Sequence, residues 1–275
     1  PPPPPFFFHA HDAIPDPLWS RGLGDVYKRQ PDYVANFYDG LKRNSTIPFQ
    51  SICLSDDPNV KADIVLPYNH HSNVVKHWHK LKYFSPLFGG QNPGDEIIIM
   101  DIDQVIVGNV DELIGHPVGD DELVSYGVFW NERLHTNRLK DNNILPLNGG
   151  FYKFKSGQFK HIWDDFALNP EYWQLHYYNI GKVHFKYYGE QNYVDWKIFE
   201  KKSKLTNTPQ EWLGKYTENS KDMINLNKMY AKKFDTDFML LDEPNEKLKV
   251  VHYTGPNRAI HNLPDSPLYK IWINN

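Results

Sequence analysis

Two aspartates one residue apart, Asp101 and Asp103, follow directly on the apolar run Glu96-Ile97-Ile98-Ile99-Met100. Fenced by Gly94-Asp95 on one side and Asp101 on the other, that run has the pattern of a central strand buried on both faces. The spacing therefore predicts two carboxylates at the carboxyl edge of a sheet. There they can hold a hard divalent cation, which in turn can clamp a diphosphate. Asp-x-Asp also ends strands and caps turns without any metal. A second chemical segment is Val250-Val251-His252-Tyr253-Thr254-Gly255-Pro256-Asn257-Arg258. Here His252 can add a metal ligand, Gly255 lets backbone approach a phosphate, and Arg258 can grip phosphate oxygens in fork geometry. A polar turn after an edge strand accounts for the same string.

These groups need elements to position them. Pro31 stands where a helix N1 proline would, and Val34, Phe37, Tyr38 and Leu41 follow at helical spacing, so an amphipathic helix is predicted up to Lys42-Arg43-Asn44. Residues 51–55, 63–67, 96–100, 123–129, 150–154 and 249–253 read as strands, and 72–84, 158–168 and 190–201 as helices. The polar segment 206–222 reads as loop. Strands alternating with helices predict an α/β domain with a mostly parallel sheet, its ligands gathered at the carboxyl ends of the strands.

Composition narrows the classes of function. The chain has 275 residues, 40% hydrophobic and 23% charged, with a formal net charge of -4. That balance gives no reason to expect nucleic acid or an anionic membrane as partner. Its single cysteine, Cys53, suits a reducing compartment, no run is long and apolar enough to span a bilayer, and a cytoplasmic protein is expected. His70, His71, His77 and His79 are dense enough to suggest zinc. No cysteine or carboxylate completes a familiar spacing, so surface or packing histidines are favoured. The aromatics Trp163, Tyr172, Trp173, Tyr177 and Tyr178 fit either a core or a sugar-stacking surface.

The start of the chain looks foreign to the rest. Pro1 to Pro5 followed by Phe6, Phe7 and Phe8 is what a C-tract and then a T-tract would encode, and residues 19–30 resemble a translated sequencing-adapter remnant from environmental DNA. Residues 1–30 are accordingly expected to be an artefactual or disordered tail, and 31–275 to form the domain. A doubly wound domain normally opens with a strand, so the first strand is expected to be missing.

From about Pro31 to His261 the chain resembles the metal-dependent glycosyltransferases of the GT-A fold, especially the glycogenin-like family 8 class and its bacterial and viral relatives. The likeness lies in the order of several segments. They are the helix from Asp32 and the strand Ile52-Cys53-Leu54-Ser55-Asp56-Asp57; Trp78-His79-Lys80-Leu81-Lys82-Tyr83-Phe84; Met100 to Leu113; Leu147-Asn148-Gly149-Gly150-Phe151; and Gly189-Glu190-Gln191. The resemblance implies a GT-A, Rossmann-like fold and transfer of a hexose from a nucleotide sugar, UDP-linked by preference, to an unknown glycan, lipid or protein acceptor, leaning towards retention. It implies that Asp101, Asp103 and His252 bind Mn²⁺ or Mg²⁺, with Asp103, Glu190 and Gln191 at the chemistry. Lys80, Gly255 and Arg258 would meet the donor's phosphates, and Asn148, Gly149 and Gly150 its sugar. Two departures stand out: Arg258 replaces a lysine of the family pattern, and Glu190 is one methylene longer than the family's aspartate. With its first strand absent the chain would be a damaged copy. A catalytically silent carbohydrate-binding scaffold and a sugar-nucleotide nucleotidyltransferase are the rival expectations.

Overall fold

The computed structural model describes residues 5–9, 31–55, 57–67, 73–74, 76–86, 88–127, 147–184, 189–216, 247–253 and 267–274. Pro5–His9 forms strand β1 and Pro31–Arg43 helix α1, followed by Gln50–Leu54 (β2) and Ile64–Leu66 (β3). A 3₁₀ helix at Lys76–Phe84 precedes Glu96–Asp101 (β4), Gln104–Ile106 (β5) and the single turn Asp111–Ile114 (α2). Then come Glu122–Gly127 (β6), Leu147–Lys155 (β7), Lys160–Leu168 (α3), Pro170–His184 (α4) and Glu190–Lys201 (α5). Lys204–Asn207 (β8), Leu213–Tyr216 (β9), Val250–Tyr253 (β10) and Pro267–Asn274 (α6) complete the described elements.

A seven-stranded sheet runs in the order β3-β2-β1-β4-β7-β6-β8, and a three-stranded sheet in the order β5-β10-β9. In the large sheet only β7 runs against its neighbours, as predicted for a mostly parallel sheet. The apolar run of β4 explains why the sheet is covered on both sides. Ile98 and Met100 face one buried layer with α1, the small sheet and α6, while Ile97 and Ile99 face another with the 3₁₀ helix, α3 and α5. All four are fully buried, and each burial stabilises the fold by about 2–3 kcal/mol. In α1 the predicted stripe buries Val34, Phe37 and Leu41, and Tyr38 turns its hydroxyl outward to donate to Asp63 at 3.0 Å.

Several expectations are corrected. The first strand is not missing: β1 lies between β2 and β4 and is parallel to both, Phe7 registering with Ile52 and with Ile99. The run that looked like a coding artefact thus fills the slot where a doubly wound sheet needs its opening strand, and part of the presumed tail belongs to the fold. Segment 72–84 is wound as a 3₁₀ helix from Lys76, not as an α-helix. Three residues per turn align His77, Lys80 and Tyr83 in one row and Trp78, Leu81 and Phe84 in another. Within 206–222, residues 213–216 form β9, parallel to β10, because Leu213 is needed in the core beside Val250 and Val251. Among the described residues no helix is long and apolar enough to cross a membrane.

One carboxylate ties the loop after α1 to the chain beyond β5. Asp111 accepts hydrogen bonds from Ser45 Oγ (2.9 Å), Thr46 N (2.7 Å), Thr46 Oγ1 (2.7 Å) and Asn109 Nδ2 (3.2 Å). Burial works to raise its pKa, but these donors outweigh it and hold the carboxyl well below the ordinary carboxylate range.

Two outcomes are expected. Asp111→Ala should lower the stability measured by urea unfolding at pH 7 by about 1–3 kcal/mol. Because the folded pKa lies below the unfolded value near 3.9, the gap between variant and wild type should persist above about pH 4 and close as the medium is acidified further. Removing residues 1–9 should abolish the cooperative thermal transition seen by circular dichroism, since β2 and β4 would both lose their ladder partner; an unchanged transition would show that β1 is dispensable.

Candidate active site

The carboxylate pair marks the crossing from one sheet to the other. β4 ends at Asp101 and β5 begins at Gln104, so Asp103 lies in the link, and Ile102 between them is buried and anchors the turn. The small sheet supplies the third group. β10 runs antiparallel to β5 and registers His252 with Gln104, which brings His252 Nε2 to 3.3 Å from Asp103 Oδ1. One ligand atom each from Asp101, Asp103 and His252 lie within 4.8 Å of one another, and His252 Nδ1 is buried with no hydrogen-bond partner.

Two carboxylate oxygens and an imidazole nitrogen at this spacing could together hold a divalent cation. The electrostatics agree. Burial, reinforced by repulsion from Asp103, raises the Asp101 pKa against the pull of Lys80 and His252, a strain that a divalent cation would relieve. The residues present therefore fit the metal implied by the sequence resemblance.

The reversed direction of β7 delivers the second part of the site. Its first residues lie at the edge where β4 ends, so Asn148, Gly149 and Gly150 come beside the carboxylates. Asn148 Oδ1 accepts from Gly150 N at 2.7 Å, Gln104 Nε2 donates to Gly150 O at 2.6 Å, and Gly149 N donates to Gln191 Oε1 at 3.2 Å. Gly150 has no room for a side chain: a Cβ there would lie 2.8 Å from Asn148 Oδ1 and 2.9 Å from Gln104 Nε2.

The third part is the start of α5. Gly189, at φ 124°, adopts a backbone conformation suited to glycine and turns the chain so that Glu190 and Gln191 open the helix at the site. Lys80 joins the parts. Its ammonium is 2.6 Å from Asp101 Oδ1, 3.1 Å from Glu190 Oε1 and 2.8 Å from the carbonyl of Gly149, and the side chain is 2% exposed. Burial alone would lower the Lys80 pKa, yet the two carboxylates more than compensate and raise it. Glu190 shows the mirror image. Burial would raise its pKa, but Lys80 and His77 outweigh that and keep it below the ordinary glutamate value.

The sequence-derived candidates Asp101, Asp103, His252, Lys80, Asn148, Gly149, Gly150, Glu190 and Gln191 thus converge on one edge. Lys80, expected near the donor phosphates, has its ammonium engaged by three protein atoms, one of them on Asp101. Gly255 and Arg258 lie outside the described residues, as do His70 and His71. Sequence reasoning passed over Gln104 and gave His77 no part in the site. Gln104 follows the Asp-x-Asp directly, and its amide braces Gly150. His77 lies one 3₁₀ turn before Lys80, and its Nε2 is 3.6 Å from Glu190 Oε2. Of the aromatics considered for sugar stacking, Tyr177 is buried and Trp163 and Trp173 are partly buried against the same core, while the Tyr178 side chain lies outside the described ones. Trp173 packs on Tyr193 and Trp196, and Tyr177 is buried with them, whereas Tyr172 is half exposed.

No protein-family profile and no curated protein sequence matches the chain. Solved structures do. The galactosyltransferase LgtC, crystallised with donor and acceptor sugar analogs, superposes with a TM-score of 0.56 over 98% of this chain and 95% of that one, at 12% identity. An active-site mutant of LgtC gives 0.57 over 97% and 93%, at 13% identity. The glycosyltransferase GlyE of Streptococcus pneumoniae gives 0.50 over 99% of this chain and 59% of that one, at 13% identity. Sheet order, flanking helices and these superpositions agree, and the chain has the fold of the GT-A glycosyltransferases.

Proposed function

We propose that this protein is a metal-dependent glycosyltransferase that moves a hexose from a nucleoside diphosphate sugar, UDP-linked by preference, to an acceptor hydroxyl. The observation that carries this reading is the meeting of Asp101, Asp103 and His252 with Asn148 to Gly150 and Glu190-Gln191 at one sheet edge of a GT-A fold. Neither a metal triad nor a glycine pair alone would point to a sugar donor. Together they offer a place for the diphosphate and, beside it, polar backbone and amide groups for the sugar.

The bound divalent cation would supply electrostatic stabilisation of the departing diphosphate. The chain's own groups do the rest. Asp101, Asp103 and His252 would hold the cation, while Gln104 and Asn148 fix the backbone of the glycine pair and Gln191 accepts from the Gly149 amide. In the transfer the bond between the anomeric carbon and the phosphate oxygen breaks, the acceptor oxygen bonds to that carbon, and the acceptor proton must leave.

Glu190 is poorly suited to take that proton. Its pKa lies below the usual glutamate range, whereas an effective general base is tuned upward towards the working pH. The retention implied by the sequence resemblance would instead have a diphosphate oxygen receive that proton.

Calorimetry of UDP binding tests the reading. Binding to the wild type should require Mn²⁺, and Asp103→Ala should remove the metal-dependent part; equal binding by both proteins would overturn the metal assignment. Hydrolysis of UDP-glucose against UDP-galactose then identifies the donor. Lys80→Met leaves Asp101 and Glu190 at a buried edge without their shared cation, and should cost about 3 kcal/mol in urea unfolding at pH 7.

A further inference from the structure

Gly149 and Glu190 touch where a side chain on Gly149 would be. A Cβ built on Gly149 would lie 2.6 Å from Glu190 Oε1, with Tyr152 OH at 3.1 Å and Gln191 Cβ at 3.4 Å. Contacts of a Cβ under 3.0 Å force something to move. The atom in the way is not a loose chain end: Glu190 Oε1 is 3.1 Å from Lys80 Nζ and the residue is buried. The same ammonium is held by the carbonyl of Gly149 at 2.8 Å and by Asp101 Oδ1 at 2.6 Å. The groups close a ring, from the Gly149 carbonyl to Lys80, to Glu190 and back to the bare α-carbon of Gly149, and Asp101 hangs from its ammonium.

We propose that Gly149 and Glu190 are a size-matched positioning pair: the carboxylate of the longer acid occupies the volume of the missing methyl, and this match sets where the glycine pair stands relative to the metal-binding aspartate. The inference rests on the transferase reading and adds to it the device that holds the sugar loop in register with the diphosphate site. A methyl at position 149 would push Glu190 off Lys80. The buried ammonium would then lose one of its two carboxylates, and the loop bonded to that ammonium would shift. Shortening Glu190 to aspartate withdraws the carboxylate by one methylene and makes room for the methyl. Two substitutions that each disturb the ring should therefore be compatible together. Neither Gly149 nor Glu190 needs to touch the reacting atoms, so the effect should fall on positioning. A displacement near 1 Å at a reacting centre is worth roughly 100-fold in rate.

The test is a double-mutant cycle of Gly149→Ala and Glu190→Asp. It reads kcat and KM for hydrolysis of the UDP-sugar that the wild type accepts, Mn²⁺-dependent UDP affinity by calorimetry, and Tm. Gly149→Ala should lose about 10- to 100-fold in kcat while its UDP affinity stays within about threefold. The double variant should return to within about threefold of Glu190→Asp. An alanine variant as active as wild type, or a double variant whose loss in kcat is the product of the two single losses, overturns the pairing. Coupling in Tm without coupling in kcat overturns the positioning role. Should Gly149→Ala fail to fold, the double variant decides: folded and near Glu190→Asp in kcat supports the pair, and unfolded or inactive overturns it. A wild type that binds no UDP with Mn²⁺ and hydrolyses no donor is a different failure, that of the transferase reading.

Discussion

A single ammonium group at the bottom of the site holds three parts of the chain together. Lys80 is buried and shared among a carboxylate at the end of β4, a carboxylate at the start of α5 and a carbonyl at the start of β7. Each of these neighbours leans on it. Without it Asp101 would face Asp103 with only His252 to offset the repulsion, Glu190 would be left with His77 beside it, and the Gly149 carbonyl would lose its donor. The 3₁₀ winding matters for the same reason, because its three-residue period carries His77 and Lys80 along one line against Glu190.

The cluster of Asp101, Asp103 and His252 depends on a different constraint, the change of sheets. Asp101 closes a strand of the large sheet and Asp103 precedes a strand of the small one, so their separation is fixed by how the two sheets meet. His252 arrives from far along the chain and is set by a backbone ladder, His252 opposite Gln104. Rigid register on both sides of the link makes a triad whose spacing does not depend on long side chains finding one another. That is the preorganisation an electrostatic site needs. Lys249, just before β10, steadies the same ladder by reaching Glu112 at 2.6 Å and the Asn109 carbonyl at 3.1 Å.

Much of this was legible in the sequence where period and chemistry coincide. The apolar run ending in Asp-x-Asp gave β4 and the carboxylates at its end, because a strand buried on both faces has few other ways to be written. Helix α5 was readable from Glu190 to Lys201 with its bounds intact. The rest failed for stated reasons. Pro5–His9 was set aside because proline and phenylalanine runs match a nucleotide-tract pattern, yet a central parallel strand asks mainly for bulk and extended backbone. The strand at Leu213 was hidden in polar surroundings, since four residues show no period and only the partner β10 makes them a strand. Lys80 was recognised as a site residue, but its burial between two acids is a tertiary fact that no spacing announces.

The pairing of β7 with β6 carries a bulge where the glycine pair stands. Ser125 registers with Tyr152 and the next residue, Tyr126, with Asn148, so the register skips Gly149, Gly150 and Phe151 on β7. One step along β6 thus spans four along β7. An insertion of this kind bends a strand out of its pleat without ending it. The backbone of the two glycines is thereby offered to side chains from other elements, the Gly150 carbonyl to Gln104 and the Gly149 amide to Gln191.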